Sequence, residues 1–198
     1  MEEVTGYLNQ WTDALIVRHK SIEVLEEIEK YADFPVINAM TDRNHPCEML
    51  ADMYVLSKIR SNFTEENFLF VGADGNIGRA WKEASELMGF SLTQCSPSEY
   101  AIDGVKHVAN LQEAIQGKDI VCTDSISREK LEAFQNYRIT EEVMQMANPG
   151  ALLNPCPPFF RGEEVSDEVI NSEYFVGYSF KKYLLEIQQA ILIYCLTR

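Results

Sequence analysis

The sequence predicts an α/β protein with a doubly wound, mostly parallel sheet. Short apolar runs alternate with stretches in which apolar residues recur every three or four positions, the periods of buried strands and amphipathic helices. One run, FLFV at residues 68–71, leads into three glycines and then a helical pattern. Hydrophobic residues make up 46% of the 198 residues, enough for a sizeable core. Strands that alternate with helices build a parallel sheet with helices on its faces.

Two strands and three helices are predicted in the first 60 residues. The strands are ALIVRH (14–19) and PVINAMT (35–41), and SIEVLEEIEKYA (21–32) between them has a helical pattern. Pro46 suits the first turn of a helix. The apolar stripes of the first and third helices are Val4, Tyr7, Leu8 and Trp11, and then Met49, Leu50, Met53 and Leu56.

The alternation continues to the end of the sequence. Strands are predicted at FLFV (68–71), SLTQC (91–95), DIVCT (119–123) and ALLN (151–154). Helices are predicted after residue 76, at LQEAI (111–115), after Arg128, after Thr140, and near the end through Leu184, Ile187, Ile191 and Tyr194.

Charge and cysteine usage exclude several classes of protein. A net charge of −14 repels nucleic acid and anionic membranes, and no apolar run approaches the length of a membrane span. The first ten residues are acidic and lack the pattern of a secretion signal. The five cysteines form no CxxC pair and only three histidines occur, so we expect neither disulfides nor a metal centre. A cytoplasmic protein is predicted.

The glycine-rich stretch GADGNIG has the spacing GxxGxxG at residues 72, 75 and 78. A dinucleotide site has GxGxxG and an acidic residue at the end of the next strand, which here ends in Thr93-Gln94-Cys95. The stretch can therefore be a tight turn where strand and helix come close, a substrate-binding turn, or a nucleotide site.

Polar side chains gather where the predicted strands end, which is the edge at which open α/β sheets bind ligands. A histidine and an arginine near a helix start suit a phosphate or carboxylate, and a carboxylate beside an amide suits an amino group. In chain order these residues are Arg18, His19, Asn44, His45, Cys47, Asp74, Asn76, Thr123, Asp124, Ser125 and Cys156.

Each of these residues also has a purely structural interpretation. His45 and Asp124 can cap helices, and Arg18 can form a surface ion pair. Cys156 can be a small buried hydrophobic residue. Their joint occurrence at strand ends favours a ligand site.

Four stretches carry a resemblance to a known family. YADFPVINAMTDRNHPCEMLADMYVL, FLFVGADGNIG, DIVCTDSIS and ALLNPCPPFFRGEEVSDEVI resemble, in order, segments of ornithine carbamoyltransferases, within the aspartate/ornithine carbamoyltransferase superfamily. The final EIQQAIL resembles the helix that returns to the first domain of those enzymes.

The resemblance implies roles for the candidate residues and no cofactor or metal. Asp124 and Cys156 would lie beside the amino groups of an ornithine-like amino acid, and Asn76 would hold its α-carboxylate or amine. Arg18 and His45 would grip carbamoyl phosphate and polarise its carbonyl oxygen. Asp74, Ser125, Cys47, Glu48 and Arg161 are the further expected substrate contacts.

The sequence also departs from the family pattern. No Ser-x-Arg-Thr-Arg loop occurs in the 198 residues, and Glu48 stands where the signature has glutamine. Pro155 and Pro157 flank Cys156, and Leu184 stands where the family has an arginine. The resemblance further implies a cis bond between Pro157 and Pro158.

Three interpretations of the function follow. A partner chain can supply the missing phosphate loop of a split carbamoyltransferase. The chain can be a repurposed enzyme of amino-acid metabolism that uses Cys156. It can also be a non-catalytic amino-acid-binding or regulatory subunit.

The expected organisation has three parts. Residues 1–60 form a remnant of the carbamoyl-phosphate domain, 61–178 the amino-acid-binding domain, and 179–198 a helix that returns to the remnant. A truncated sheet exposes apolar surface, so we expect a homo-oligomer, a dimer through the remnant.

Overall fold

The structure is a computed structural model and describes residues 1–197. The strands are β1 (Leu15–Arg18), β2 (Val36–Met40), β3 (Asn67–Val71), β4 (Ser91–Cys95), β5 (Lys106–His107), β6 (Ile120–Thr123) and β7 (Leu152–Pro155). The helices are α1 (Glu2–Leu8), α2 (Ile22–Glu29), α3 (Pro46–Ile59), α4 (Asn76–Met88), α5 (Leu111–Ala114), α6 (Leu131–Phe134), α7 (Glu141–Met144), α8 (Asp167–Ile170) and α9 (Leu184–Leu196). No helix of the described residues has the length and apolar character needed to cross a membrane.

The strands form two parallel sheets. The larger has the order β5-β4-β3-β6-β7, and the smaller consists of β1 and β2. Every pair of neighbouring strands in these sheets is parallel, which confirms the predicted fold class. All carboxyl ends of the larger sheet therefore lie at one edge.

The central strand β3 supplies both faces of the core. Phe68 and Phe70 pack on one side with residues of α3 and α4, whereas Leu69 and Val71 pack on the other side with α5, α7 and α8. Side chains of a strand alternate between its faces, so a run that is apolar at every position is buried on both. This placement of helices on both faces is the doubly wound arrangement.

The glycine turn after β3 fits around an aromatic ring. A Cβ on Gly72 would lie 2.8 Å from Phe70 Cζ, and one on Gly78 would lie 2.6 Å from Phe70 Cε1. The N–H groups of Gly72 and Asp74 donate to the carbonyl oxygens of Cys95 and Tyr100. The close approach therefore explains these two glycines, and those two amides are not free for a pyrophosphate.

The buried side chain of Gln94, the next-to-last residue of β4, lies where a dinucleotide site would have its acidic residue. Its Nε2 donates to the carbonyl oxygens of Gly72 and Tyr100, and its Oε1 accepts from the N–H of Ile102. These bonds hold the glycine turn and the β4–β5 connection together. A ribose has no carboxylate here to bind.

The smaller sheet and the first helix leave apolar surface exposed. Ile16 on β1 is 54% exposed, and Val4, Tyr7 and Trp11 are 55%, 74% and 72% exposed. The expected stripe of the first helix thus faces away from the core, and Trp11 lies beyond the end of α1. The exposed apolar surface expected of the first 60 residues is present.

Candidate functional site

Asp124 and Cys156 are brought together by neighbouring strands. In the register of β6 and β7, Thr123 is paired with Pro155, and the Cys156 N–H donates to the Thr123 carbonyl oxygen over 3.1 Å. Asp124 and Cys156, the residues that follow these two strands, therefore lie in the same region beyond the sheet. The Pro157–Pro158 bond after Cys156 is cis, as the resemblance implied.

Asp124 is a largely desolvated carboxylate rather than a helix cap. Its Oδ1 accepts the N–H of Ser125 over 2.8 Å, and the next regular element starts only at Arg128. Burial, reinforced by Glu164 and opposed by the Ser125 N–H and Lys130, raises the pKa of Asp124 to about 6. The group is thus still mainly an anion at neutral pH, and a cationic ligand would relieve its unfavourable burial.

Glu164 holds the two loops around Asp124 and Cys156. Its Oε1 accepts from the N–H of Ile126 and its Oε2 from the N–H of Phe160, each over 2.7 Å. Only 4% of Glu164 is exposed. Sequence reasoning missed this residue, because a glutamate in an acidic loop gives no sign that it bonds to a backbone 38 positions earlier.

Cys156 is half-buried at the end of β7. Burial raises the pKa of its thiol, and the nearby carboxylates of Asp124, Glu48 and Asp52 reinforce the effect against Lys181. A thiol in such surroundings remains protonated at neutral pH and is a poor nucleophile.

An open cleft of about 500 Å³ lies at the carboxyl ends of β1 and β2. Three of its lining residues, Arg18, His19 and Lys20, carry or can carry positive charge. Within residues 1–197 Arg18 makes no ion pair, so its structural interpretation as a surface ion pair is wrong. The remaining lining residues are Met40, Thr41, Asp42 and Asn76.

Asn76 connects this cleft with the larger sheet. Its Nδ2 donates to the Thr41 carbonyl oxygen over 2.8 Å, and it is the first residue of α4. Its neighbour Gly75 faces Asp124, since a Cβ there would lie 3.9 Å from the carboxylate. The cleft and the Asp124 region therefore border the same helix start.

His45 precedes the first turn of α3 but does not cap it with its side chain. Burial lowers the pKa of His45; Glu48 opposes this effect, and Arg18 and Lys181 add to it. The imidazole is therefore neutral at pH 7. Its Nδ1 is buried and has no hydrogen-bond partner among the described residues.

Glu48 is paired rather than free. The Lys181 ammonium lies 2.6 Å from Glu48 Oε1 and 2.5 Å from Asp52 Oδ1, and Asp52 also accepts from Asn154 Nδ2 over 2.9 Å. Burial works to lower the pKa of Lys181, but Asp52 and Glu48 outweigh it and raise the pKa. Sequence reasoning missed Lys181, because its partners are more than 120 positions away.

The other predicted contacts are engaged locally. Asp74 forms a two-bond ion pair with Arg79 at 2.7 and 2.9 Å, and Arg161 pairs with Asp167 at 3.2 Å. The thiol of Cys47 donates to the Asn38 carbonyl oxygen over 3.4 Å. Ser125 is exposed next to Asp124. Roles for these four residues in ligand binding stay predictions.

No cluster of three or more His, Cys, Asp or Glu side chains within residues 1–197 has the arrangement of a metal site. The cationic side chain of Arg18 and the neutral imidazole of His45 lie on the side of the smaller sheet. The Asp124 carboxylate and the Cys156 thiol lie on the side of the larger sheet. Such a pair of regions suits an anionic ligand beside one with amino groups.

Fold and site together define a two-sheet α/β protein with ligand groups at the strand ends. The family profile for the "Aspartate/ornithine carbamoyltransferase, Asp/Orn binding domain" matches residues 64–195, and the profile for the carbamoyl-P binding domain of the same family matches residues 1–58. The chain belongs to the aspartate/ornithine carbamoyltransferase family.

Individual relatives agree with this assignment. The ornithine carbamoyltransferase of Hydrogenovibrio crunogenus is 31% identical over 215 residues, which cover 100% of this chain and 71% of that protein. The ornithine carbamoyltransferase structure from Burkholderia thailandensis has a TM-score of 0.90 at 28% identity and covers 98% of this chain and 69% of its own. The one from Gloeobacter violaceus has a TM-score of 0.90 at 26% identity, with 96% and 72% covered.

Proposed function

We propose that this chain binds an ornithine-like amino acid beside Asp124 and Cys156 and takes part in carbamoyl transfer from an anionic donor held at Arg18 and His45. The proposal rests on one observation: the cleft lined by Arg18 and the region around Asp124 both border the start of α4. There Asn76 donates to the Thr41 carbonyl oxygen and Gly75 faces Asp124. Two small ligands in these regions would be neighbours.

The residues suit the charge changes of this reaction. The amine nitrogen of the amino acid forms a bond to the carbonyl carbon, and the bond from that carbon to the phosphate oxygen breaks. Phosphate leaves with the bonding electrons and takes up the proton that the nitrogen loses. Negative charge grows on the carbonyl oxygen as the new bond forms, and Arg18 together with a neutral His45 that donates a hydrogen bond would stabilise it. Asp124 would orient the amino groups.

The division into residues 1–60, 61–178 and 179–198 is part of this proposal. We further propose that most contacts to the phosphate come from outside these 198 residues, from a partner chain that carries a Ser-x-Arg-Thr-Arg loop. Support comes from the exposed apolar residues Ile16, Tyr7 and Trp11, which offer a surface to cover.

A second candidate is a non-catalytic amino-acid-binding or regulatory subunit. The raised pKa of the Cys156 thiol favours it over a repurposed enzyme with thiol chemistry, because thiol chemistry requires a thiolate. The amino-acid site is common to this candidate and to the carbamoyltransferase.

Calorimetric titration with ornithine tests the amino-acid site. We expect binding by the wild-type chain, a loss of about tenfold or more in affinity for Asp124→Asn, and no loss for the matched change Asp103→Asn at an exposed site. Equal affinities for all three proteins would refute the role of Asp124.

Carbamoyl transfer is tested separately with labelled carbamoyl phosphate and ornithine. If the chain alone forms citrulline at ordinary enzyme rates, the partner proposal is wrong. If it binds ornithine but forms citrulline neither alone nor with a chain that supplies the loop, the non-catalytic candidate is correct.

A further inference from the structure

Lys181 is the centre of a buried charged cluster that the proposed mechanism does not use. The cluster consists of Lys181, Glu48, Asp52 and Asn154, with 19% of the Lys181 side chain and 6% of the Asp52 side chain exposed. It contains two carboxyl groups and one ammonium, and the ammonium contacts both carboxyl groups.

The four residues come from three separate parts of the fold. Glu48 and Asp52 lie one turn apart on α3, and Lys181 ends the 3-10 turn Tyr178–Lys181 before α9. Asn154 lies on β7, two residues before Cys156. The cluster thus joins the helix that begins next to His45 to the strand that leads to Cys156.

Charges of the cluster reach His45. Burial has the largest effect and lowers the pKa of that imidazole. Arg18 and Lys181 lower it further, whereas Glu48 raises it. Without Lys181 the unbalanced carboxylates of Glu48 and Asp52 would lie close to the start of α3. Unpaired carboxylates in a region of low dielectric repel an anion strongly.

We propose that Lys181 is a positioning residue that offsets the carboxylate of Glu48, keeps the region of His45 able to accept an anion, and fixes the start of α3 against β7. The part that concerns the anion rests on the proposed function, whereas the coupling of Lys181 to His45 through Glu48 does not. Lys181 itself need not touch the ligand.

The coupling is measured by NMR titration of the histidine rings, with His45 assigned by comparison with His45→Asn. Lys181→Met should raise the midpoint of His45, Glu48→Gln should lower it, and the double variant should return close to the wild-type value. The matched control is Lys182→Met, which removes the same charge from the adjacent exposed residue. Equal shifts in Lys181→Met and Lys182→Met, or a double variant that behaves like Lys181→Met, would overturn the proposal.

The effect on the anion is measured with inorganic phosphate as the probe. Lys181→Met should weaken phosphate binding about tenfold, Glu48→Gln should strengthen it, and the double variant should restore it. A merely structural lysine would not be rescued by the loss of Glu48. If the wild-type chain binds no phosphate, the proposed anion site fails, while the titration of His45 still decides the coupling.

The proposal can still be tested if Lys181→Met does not fold. Glu48→Gln leaves Lys181 paired with Asp52, and Lys181→Arg retains the positive charge. A lower His45 midpoint in Glu48→Gln with tighter phosphate binding, and wild-type behaviour of Lys181→Arg, are the expected results; no change in Glu48→Gln would refute the proposal.

Discussion

In the larger sheet the central strand is covered on both faces: Phe68, Leu69 and Phe70 have 0% exposed surface. In the smaller sheet β1 alternates between half-buried and exposed positions, and Ile16 is 54% exposed. Free energy from apolar burial is therefore concentrated around β3. The larger sheet also carries the desolvated carboxylate Asp124, whereas the smaller sheet presents Arg18 to an open cleft.

The two halves of the candidate site are therefore built by different means. Asp124 and Cys156 are held by a rigid core and by the bonds of Glu164 to two loops. Arg18 depends on a strand with one neighbour, and its register with β2 shifts at this residue. The first half is half-buried, and the second lines an open cleft.

The largest expected effect on stability comes from removing the Phe70 ring, against which the glycine turn packs. Phe70→Ala should lower the free energy of unfolding by about 3–5 kcal/mol, because it removes a fully buried side chain and leaves a cavity. Ile16→Ala in the smaller sheet should cost less than about 0.5 kcal/mol. Urea unfolding measures both losses of free energy, and equal losses would contradict the difference in burial between the two sheets.

The glycine turn gives the next largest effect. Gly78→Ala should cost about 1–3 kcal/mol, because its Cβ would lie 2.6 Å from both Phe70 Cε1 and Ile102 Cδ1. Gly75→Ala is the matched control, since its nearest contact would be 3.8 Å. Phe70→Leu should relieve the cost of Gly78→Ala in the double variant; without that relief, the close packing on the ring does not explain the glycine.

Asp124→Asn should stabilise the chain by roughly 1–2 kcal/mol at pH 7.5. The pKa of Asp124 is raised by burial from 3.8 to about 6, so the folded state favours its neutral form and stability is lost as pH rises through this window. Asparagine has no charge to bury. Thermal unfolding should show a gain at pH 5 that is roughly half of the gain at pH 7.5, and a gain that is the same at both would contradict this origin.

The smallest expected effect on folding is at Trp11, an exposed residue shortly after α1. Trp11→Glu should change the free energy of unfolding by less than about 0.5 kcal/mol, because the indole is 72% exposed. If this surface is the predicted dimer contact, the same change should halve the native mass measured by light scattering. The matched change Tyr178→Glu, at a residue 76% exposed elsewhere, should leave the mass unaltered.

Four strands of the larger sheet, β3, β4, β6 and β7, were predictable from short, largely apolar runs such as FLFV, which is buried on both faces. The two-residue strand β5 and the four-residue helix α8 were not, since so few residues set no period. Asp124 and Cys156 followed from their positions after strands. Glu164 and Lys181 could not be found, because their partners are distant in sequence and only the folded chain brings them together.

The pH dependence of ornithine binding decides whether Asp124 binds the ligand. If Asp124 holds an amino group of the ligand, affinity should be constant above pH 7 and fall about tenfold per pH unit below about 6, as the carboxylate takes up a proton. The decline should be absent from Asp124→Asn, which binds weakly throughout. Wild-type affinity that is unchanged between pH 7.5 and pH 5, or no ornithine binding at either pH, would contradict the assignment of this site.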